Sequence, residues 1–250
     1  MSGGWLYSHT VSNWFLYALA ISLATFSVYN LQRIYKFKKQ TTLQTETYDW
    51  LKKRISWMNP MSIICGILAL LLSAYLVKDV LSNGWLFILT VLVSIFYVVP
   101  FFGKRLREIS FLKTFLIAVV WTSVLFYIPW LNEGRKTEVV QNELTAFFFL
   151  FAALTIPFDI RDMEQDRLQH KTLPLLFGVA VSKVVALAFL AVFYLIIANI
   201  NQEIGKNVLL GSITLLTALF VLFTNSTRSI YFFAALDGTM VLFGLVYFFS

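Results

Sequence analysis

LPLLFGVAVSKVVALAFLAVFYLIIANI, the run from Leu173 to Ile200, contains one charged side chain, that of Lys183. About 20 consecutive apolar residues are enough for a helix to cross the hydrocarbon core of a bilayer. The run therefore predicts a transmembrane helix with residues to spare. Its first turns, as far as Lys183, are expected at the membrane interface, where the long Lys side chain carries its ammonium group to water.

Seven further runs of this kind occur in the chain, although the one that ends at Phe158 is short and runs directly into charged residues. Each run is continuous and does not alternate between apolar and polar residues, which favours helices over a membrane β-barrel. We predict an all-α polytopic transmembrane helical bundle of about eight spans. The predicted spans are Trp14–Leu31, Pro60–Val77, Trp85–Phe102, Phe111–Leu131, Leu144–Phe158, Leu173–Ile200, Val208–Thr224 and Ile230–Phe249.

The composition agrees with a membrane protein. Of the 250 residues, 59% are apolar and 13% are charged, whereas soluble domains carry roughly 25% charged residues. The apolar content excludes a disordered chain, and a single cysteine, Cys65, excludes a disulfide framework. We expect one integral membrane domain over residues 1–250.

The net charge of +7 predicts an orientation in the membrane. With the spans numbered in order, 16 of the 20 basic residues fall in loops on one side. Basic loops face the cytoplasm, so we predict that both termini lie outside, that the chain resides in an inner or plasma membrane, and that nucleic acid is not a partner. Residues 1–10 lack a basic region and a cleavage site, so no signal peptide is predicted. The 16 residues are Arg33, Lys36, Lys38, Lys39, Lys52, Lys53, Arg54, Lys104, Arg105, Arg107, Lys113, Arg161, Arg167, Lys171, Lys183 and Arg228.

The longest polar stretch, residues 32–59, ends in a segment that mixes Trp50, Trp57 and Met58 with three consecutive cations. This mixture is typical of a helix that lies at the cytoplasmic interface. It fits an anchoring loop helix, and the alternative is a lid over a substrate.

Acidic residues concentrate in one place, since four of the 13 carboxylates fall between Asp159 and Asp166. On a helix, Asp159, Asp162 and Asp166 lie within a 60° arc, at about 100° per residue, and Glu164 points away. Three acids on one face repel each other unless a cation lies between them. Mg²⁺ fits this position best, because it binds one or two carboxylates and completes its coordination shell with water and the phosphates of a substrate. The alternative is a solvated loop with internal ion pairs. The flanking cations that could contact the phosphate of such a substrate are Arg161, Arg167 and Lys171.

These residues carry a resemblance to a known family. The run from Asp159 to Arg167, followed by Lys171-Thr-Leu-Pro174 and Gly178, resembles the second aspartate-rich motif of the UbiA superfamily of intramembrane prenyltransferases. That motif reads D-x-x-D-x-x-x-D, then T-L-P, then a Gly. A weaker match is Tyr97-Val-Val-Pro100 with the trailing Lys104 and Arg105, which is similar to the family's Y-x-x-P stretch. The resemblance extends from about Ala20 to the end of the chain.

The resemblance implies an enzyme that transfers a polyprenyl group from an allylic diphosphate to an aromatic or lipid acceptor. It implies Mg²⁺ as cofactor and an active site that faces the cytoplasm. By position, Asp162 and Asp166 would hold Mg²⁺ and act in catalysis, with Asp159 as a supporting third metal ligand. Implied substrate-binding residues are Tyr97, Lys104, Arg105, Arg161 and Lys171.

The family's first aspartate-rich motif, N-D-x-x-D-x-x-x-D, is lost here. Asn30 remains as a substrate-binding candidate, but Leu31, Ile34 and Lys38 occupy the three aspartate positions. Our hypothesis is that Arg33, on the same helix face as Asn30, contacts the diphosphate and replaces one metal. The alternative is an interfacial anchor, in which case Arg33→Ala would leave diphosphate affinity unchanged.

The span count also departs from the family, which usually has nine spans with a cytoplasmic amino terminus. The family's opening helix has no counterpart among the eight. Three explanations stay open: the chain starts too late, this branch lacks the helix, or a partner subunit replaces it.

Asp237 lies within the last predicted span. An acid in that setting faces the bundle interior, where it either orients the acceptor or bonds a neighbouring helix.

Two functions compete. An intact second motif favours a divergent prenyltransferase, whereas the lost first motif favours a catalytically impaired protein that binds prenyl lipid or assembles a complex. A transporter is disfavoured because matching halves with interrupted helices are missing.

Overall fold

The computed structural model describes residues 13–38, 45–77, 84–100, 106, 109, 112–133, 137–163, 172–224, 235–236 and 238–249. Of these described residues, 93% are helical and none lies in a strand. The predicted all-α class is therefore confirmed.

A helix covers most of each predicted span. Within the described ranges, six helices are long and apolar enough to cross a membrane, and Ile88–Tyr97 is a shorter apolar helix. The chain is an integral membrane protein of about the predicted number of spans, whereas its orientation stays a prediction. The helices are α1 (Trp14–Lys38), α2 (Thr45–Val77), α3 (Gly84–Val98), α4 (Leu112–Thr122), a π-helical segment (Ser123–Tyr127), α5 (Ile128–Asn132), α6 (Thr137–Arg161), α7 (Leu173–Ile200), α8 (Ile204–Leu222) and α9 (Gly238–Phe249).

The chain divides into two compact units, of which one runs from Asn13 to Arg107 and contains α1, α2 and α3. In this unit α1 packs along α2. The backbones approach closely at Gly66, where an added Cβ would lie 2.7 Å from Ser27 Oγ.

The anchoring segment expected at residues 48–58 is not a separate helix. It is continuous with the span that follows, and together they form the 33 residues of α2, with Pro60 inside. A helix of that length extends about 50 Å at 1.5 Å per residue, well beyond a hydrocarbon core of about 30 Å. Continuing the helix keeps the backbone hydrogen bonds satisfied where the chain leaves the bilayer.

The second unit contains the rest of the described helices, from α4 to α9. Its central element is α6, which packs against α4 and α7. About two-thirds of the residues in the apolar part of α6 are buried. Aromatic rings fix α6 against the π segment, because Phe147 stacks on Phe126 with 3.9 Å between ring centroids. The shortest predicted span is therefore the core of this unit, and groups at its ends are held by a packed helix.

A backbone break near the start of α7 separates its first turns from the rest. Gly178 has φ 84° and ψ 163°, outside the helical region, and its carbonyl accepts a hydrogen bond from Ser182 Oγ. One turn later, Lys183 Nζ donates to the Leu222 carbonyl at 2.7 Å. This bond caps the carboxyl end of α8, where a cation is favourable, and it places Lys183 level with the end of a neighbouring span.

Candidate functional site

The predicted acidic cluster begins on the last turn of α6. Asp159 is inside the helix, and the Asp162 backbone N–H donates to the Phe158 carbonyl at 3.0 Å, which extends helical geometry through Asp162. The two carboxylates therefore follow the predicted helical spacing. The other members of the predicted site in this stretch, Asp166 and Lys171, lie outside the described residues.

Asp159 is engaged on both carboxylate oxygens. Lys113 Nζ lies 2.6 Å from Oδ1, and Thr114 Oγ1 donates to Oδ2 at 3.1 Å. Lys113, Thr114 and Asp159 are 8%, 3% and 2% exposed, so the ion pair is shielded from water. Removing one partner of such a pair costs about 3–5 kcal/mol, because the other charge is left buried.

Asp162 has a different environment from Asp159. Its side chain is 26% exposed and pairs with its chain neighbour Arg161, whose Nε lies 2.7 Å from Oδ1. The Arg161 guanidinium also lies over the Phe158 ring, 5.1 Å from the centroid. Carboxylates at the carboxyl end of a helix are repelled by its dipole, and the two cations Lys113 and Arg161 offset that repulsion.

The T-L-P stretch forms the start of α7. Thr172 is the residue before the helix, with φ −80° and ψ 165°, and Pro174 occupies the first turn, where its missing N–H is tolerated. The Thr172 carbonyl accepts the backbone N–H groups of Leu175 and Leu176. Its hydroxyl is buried and has no hydrogen-bond partner among the described residues. The loop between α6 and α7 is thus bounded by a carboxylate at one end and a buried hydroxyl at the other.

The remaining predicted site residues that the structure describes belong to the unit of residues 13–107. Asn30 is buried and donates through Nδ2 to the Phe26 carbonyl at 2.8 Å. Arg33 donates to Tyr29 Oη at 2.7 Å, with its guanidinium 4.3 Å from the ring centroid. Both contacts are local to α1, so a role for either side chain at a diphosphate stays a prediction.

Tyr97 is half-buried near the end of α3. Lys104, Arg105 and Asp237 lie outside the described residues, and their predicted roles stay predictions. Among the described residues, no three His, Cys, Asp or Glu side chains form a group that could hold a metal ion. The part of the predicted donor set that the structure describes consists of Asp159, which is engaged in the ion pair, and Asp162.

Sequence reasoning missed Lys113 and Thr114. Lys113 counted as one of the loop cations, although it lies in the first turn of α4 and is buried. Its partner is some 45 residues away along the chain, and no periodicity connects the two positions. A basic residue directly before an apolar run is also the ordinary pattern of an interfacial anchor. The pattern therefore did not indicate that Lys113 forms a buried ion pair.

No protein-family model matches the chain, and no curated protein matches it. The structure is similar to that of a UbiA homolog from Archaeoglobus fulgidus bound to GPP and Mg²⁺, with a TM-score of 0.66. The two chains are 15% identical, and the match covers 94% of this chain and 87% of the other. At this identity the match establishes the fold and not the activity. The chain has a UbiA-like fold.

Proposed function

We propose that the protein is an intramembrane prenyltransferase that uses Mg²⁺ and transfers a polyprenyl group from an allylic diphosphate to a hydrophobic acceptor, aromatic or lipid. The observation that carries the proposal is the fold match over 94% of the chain to a UbiA homolog bound to GPP and Mg²⁺. The aspartate motif adds chemistry to the fold, because it places Asp162 at the exposed end of a buried helix.

The residues at the end of α6 suit magnesium. Mg²⁺ takes oxygen ligands, and it usually binds through one or two carboxylates, water and the phosphates of a substrate. Asp162 supplies one partly exposed carboxylate, and Asp166 is the second candidate by sequence. The metal would stabilise the negative charge on the departing diphosphate.

Arg161 is a described cation that contacts Asp162 directly. It pairs with Asp162 and is about one-third exposed, so its guanidinium can turn to the diphosphate once Asp162 is engaged elsewhere. Planar guanidinium groups bind phosphate oxygens with two parallel hydrogen bonds. We assign Arg161 to holding the leaving group, together with Lys171.

Aromatic side chains inside the second unit suit the other product of ionisation, an allylic cation. Phe126, Phe147 and Phe193 form a connected set of rings in the interior of the unit, and Trp121 lies 6.3 Å from Phe151. Ring faces attract cations, most strongly away from water. Such rings would protect the cation until the acceptor attacks.

The test is binding of geranyl S-thiolodiphosphate, which resists cleavage, to the purified protein with and without Mg²⁺. We expect binding that requires Mg²⁺ and that is lost in Asp162→Asn. The matched control is Glu203→Gln, a change of an exposed acid before α8, which should bind as the unaltered protein does. Binding that ignores Mg²⁺, or no binding, would contradict the proposal and favour a chain that keeps the fold for assembly.

A further inference from the structure

We propose that Lys113 and Thr114 are positioning residues for the magnesium site: they hold Asp159 as a structural support, so that Asp162 is presented at a fixed point. This inference rests on the proposed function, because it concerns how that site is built. It removes Asp159 from the set of metal ligands.

Both carboxylate oxygens of Asp159 are engaged by α4. One is 2.6 Å from Lys113 Nζ and the other accepts from Thr114 Oγ1 at 3.1 Å. A metal ligand needs an oxygen that faces the ion, and an anion buried to 2% exposure is already compensated by the ammonium group. The Asp162 oxygens are also engaged, by Arg161 at 2.7 and 3.3 Å. However, the Asp162 side chain is 26% exposed, against 3% for Asp159, so an ion in solution can reach Asp162 more readily.

The support for Asp159 is anchored on a neighbouring helix. Lys113 and Thr114 lie in the first turn of α4, and Asp159 lies in the last turn of α6, two helices that pack against each other. Further along these helices, the ring of Phe115 in α4 stacks on that of Phe148 in α6 at 6.2 Å. The ion pair therefore fixes the terminal turn of α6 to a neighbour that is itself packed.

Asp159 and the proposed metal ligand Asp162 are close along the chain. Asp162 follows Asp159 by three residues, and its backbone N–H bonds to Phe158 within the same helical turn. A metal ligand must be held within about 0.5 Å of its productive position. Fixing the backbone at Asp159 therefore fixes the position of the Asp162 Cα atom, about one helical turn later.

The experiment is a double-mutant cycle on Lys113→Met and Asp159→Asn. The quantity measured is the Mg²⁺ concentration that gives half-maximal binding of geranyl S-thiolodiphosphate, at a temperature well below unfolding. Changes to groups that orient metal ligands weaken metal affinity by roughly ten- to a hundredfold, so each single variant should raise the midpoint by such a factor. The double variant should raise the midpoint by no more than the larger single effect, because both changes break the same Lys113–Asp159 ion pair.

Three results would overturn the inference. Independent effects that multiply in the double variant would mean that Asp159 binds the metal by itself. A lower unfolding temperature with an unchanged Mg²⁺ midpoint would mean that the pair only stabilises the fold. No binding by the unaltered protein would overturn the proposed function, and this inference with it. In the other two results the unaltered protein still binds the analogue, so the failures can be told apart.

A second measurement applies if Lys113→Met does not fold. In a Cys65→Ala background, Asp162→Cys should bind geranyl S-thiolodiphosphate more tightly when Cd²⁺ replaces Mg²⁺, because soft metals favour thiolate ligands. Asp159→Cys should show no such gain, since its side chain is directed at Lys113 and Thr114. Rescue of Asp159→Cys by Cd²⁺ would contradict the inference. The matched control for loss of a buried Lys is Lys206→Met, at the start of α8, which should leave the Mg²⁺ midpoint unchanged.

Discussion

Two threonines on α4 differ in how their hydroxyl groups are satisfied. Thr114 and Thr122 are both buried. Thr114 donates to Asp159, whereas Thr122 Oγ1 has no hydrogen-bond partner in the part of the chain that the structure describes. A hydrogen bond to a charged group contributes about 1.5–3 kcal/mol, and a buried hydroxyl without a partner costs about 1–3 kcal/mol.

Valine has nearly the shape of threonine without the hydroxyl, so the two sites should respond in opposite directions. We expect Thr114→Val to lower the free energy of unfolding by about 1–3 kcal/mol and Thr122→Val to leave it unchanged or raise it. Thermal unfolding of the purified protein in detergent measures both. Equal losses at the two sites would contradict this assignment of partners.

At the scale of single residues, the sequence predicted where the acids would be but not what they would contact. The predicted helical spacing of Asp159 and Asp162 agrees with the helical hydrogen bond that continues from α6 to Asp162, because 100° per residue is a local property. The engagement of Asp159 by α4 depends on which helices pack together, and nothing in the spacing of one helix contains that information. The contact of Arg33 with Tyr29 is different, because it joins residues four apart on α1 and is compatible with local helical spacing.

At the scale of the element, α7 depends on a glycine. Gly178 has φ 84° and ψ 163°, a region that only glycine occupies readily, and a Cβ added there would meet nothing within 4 Å. The expected penalty for Gly178→Ala is therefore conformational and not steric, about 1–3 kcal/mol.

Gly205→Ala is the matched control. Gly205 lies in the helical part of α8, and its added Cβ also meets nothing within 4 Å. Alanine favours a helix over glycine by up to about 1 kcal/mol, so this variant should be as stable as the unaltered protein or more so. Thermal unfolding of the two variants side by side makes the comparison, and a stable Gly178→Ala would show that α7 does not need the break.

Apolar runs predicted the helices well and their ends poorly. The run that ends at Val77 gave no sign that α2 begins as early as Thr45, since polar residues outside a bilayer carry no hydropathy signal. The π segment at Ser123–Tyr127 was equally hidden, because a change from one helical hydrogen-bond pattern to another leaves composition unaltered. Burial also escaped prediction: α6 is the most buried span and was the weakest by length.

At the scale of the whole molecule, the distribution of basic residues predicts the orientation, and cysteine labelling can test it. Cys65 is the single cysteine and is buried, so Cys65→Ala provides the background. Met163, after α6, and Gln202, after α7, are separated by the 28 residues of α7, about 42 Å at 1.5 Å per residue.

We expect a membrane-impermeant maleimide to label Gln202→Cys on intact cells, and to label Met163→Cys only after permeabilisation. The reason is that 16 of 20 basic residues fall on the side of Met163, and basic loops stay in the cytoplasm. The reverse pattern would contradict the orientation while leaving the fold intact. Labelling of both from outside would contradict a membrane-spanning α7.

The buried pair between α4 and α6 also bears on biosynthesis. Asp159 leaves the ribosome about 45 residues after Lys113 and Thr114, and chains elongate at about 5–20 residues per second. For about 2–9 s, Lys113 lacks the carboxylate with which it pairs in the folded chain. We therefore expect the fourth predicted span to pack stably only after the fifth has been synthesised.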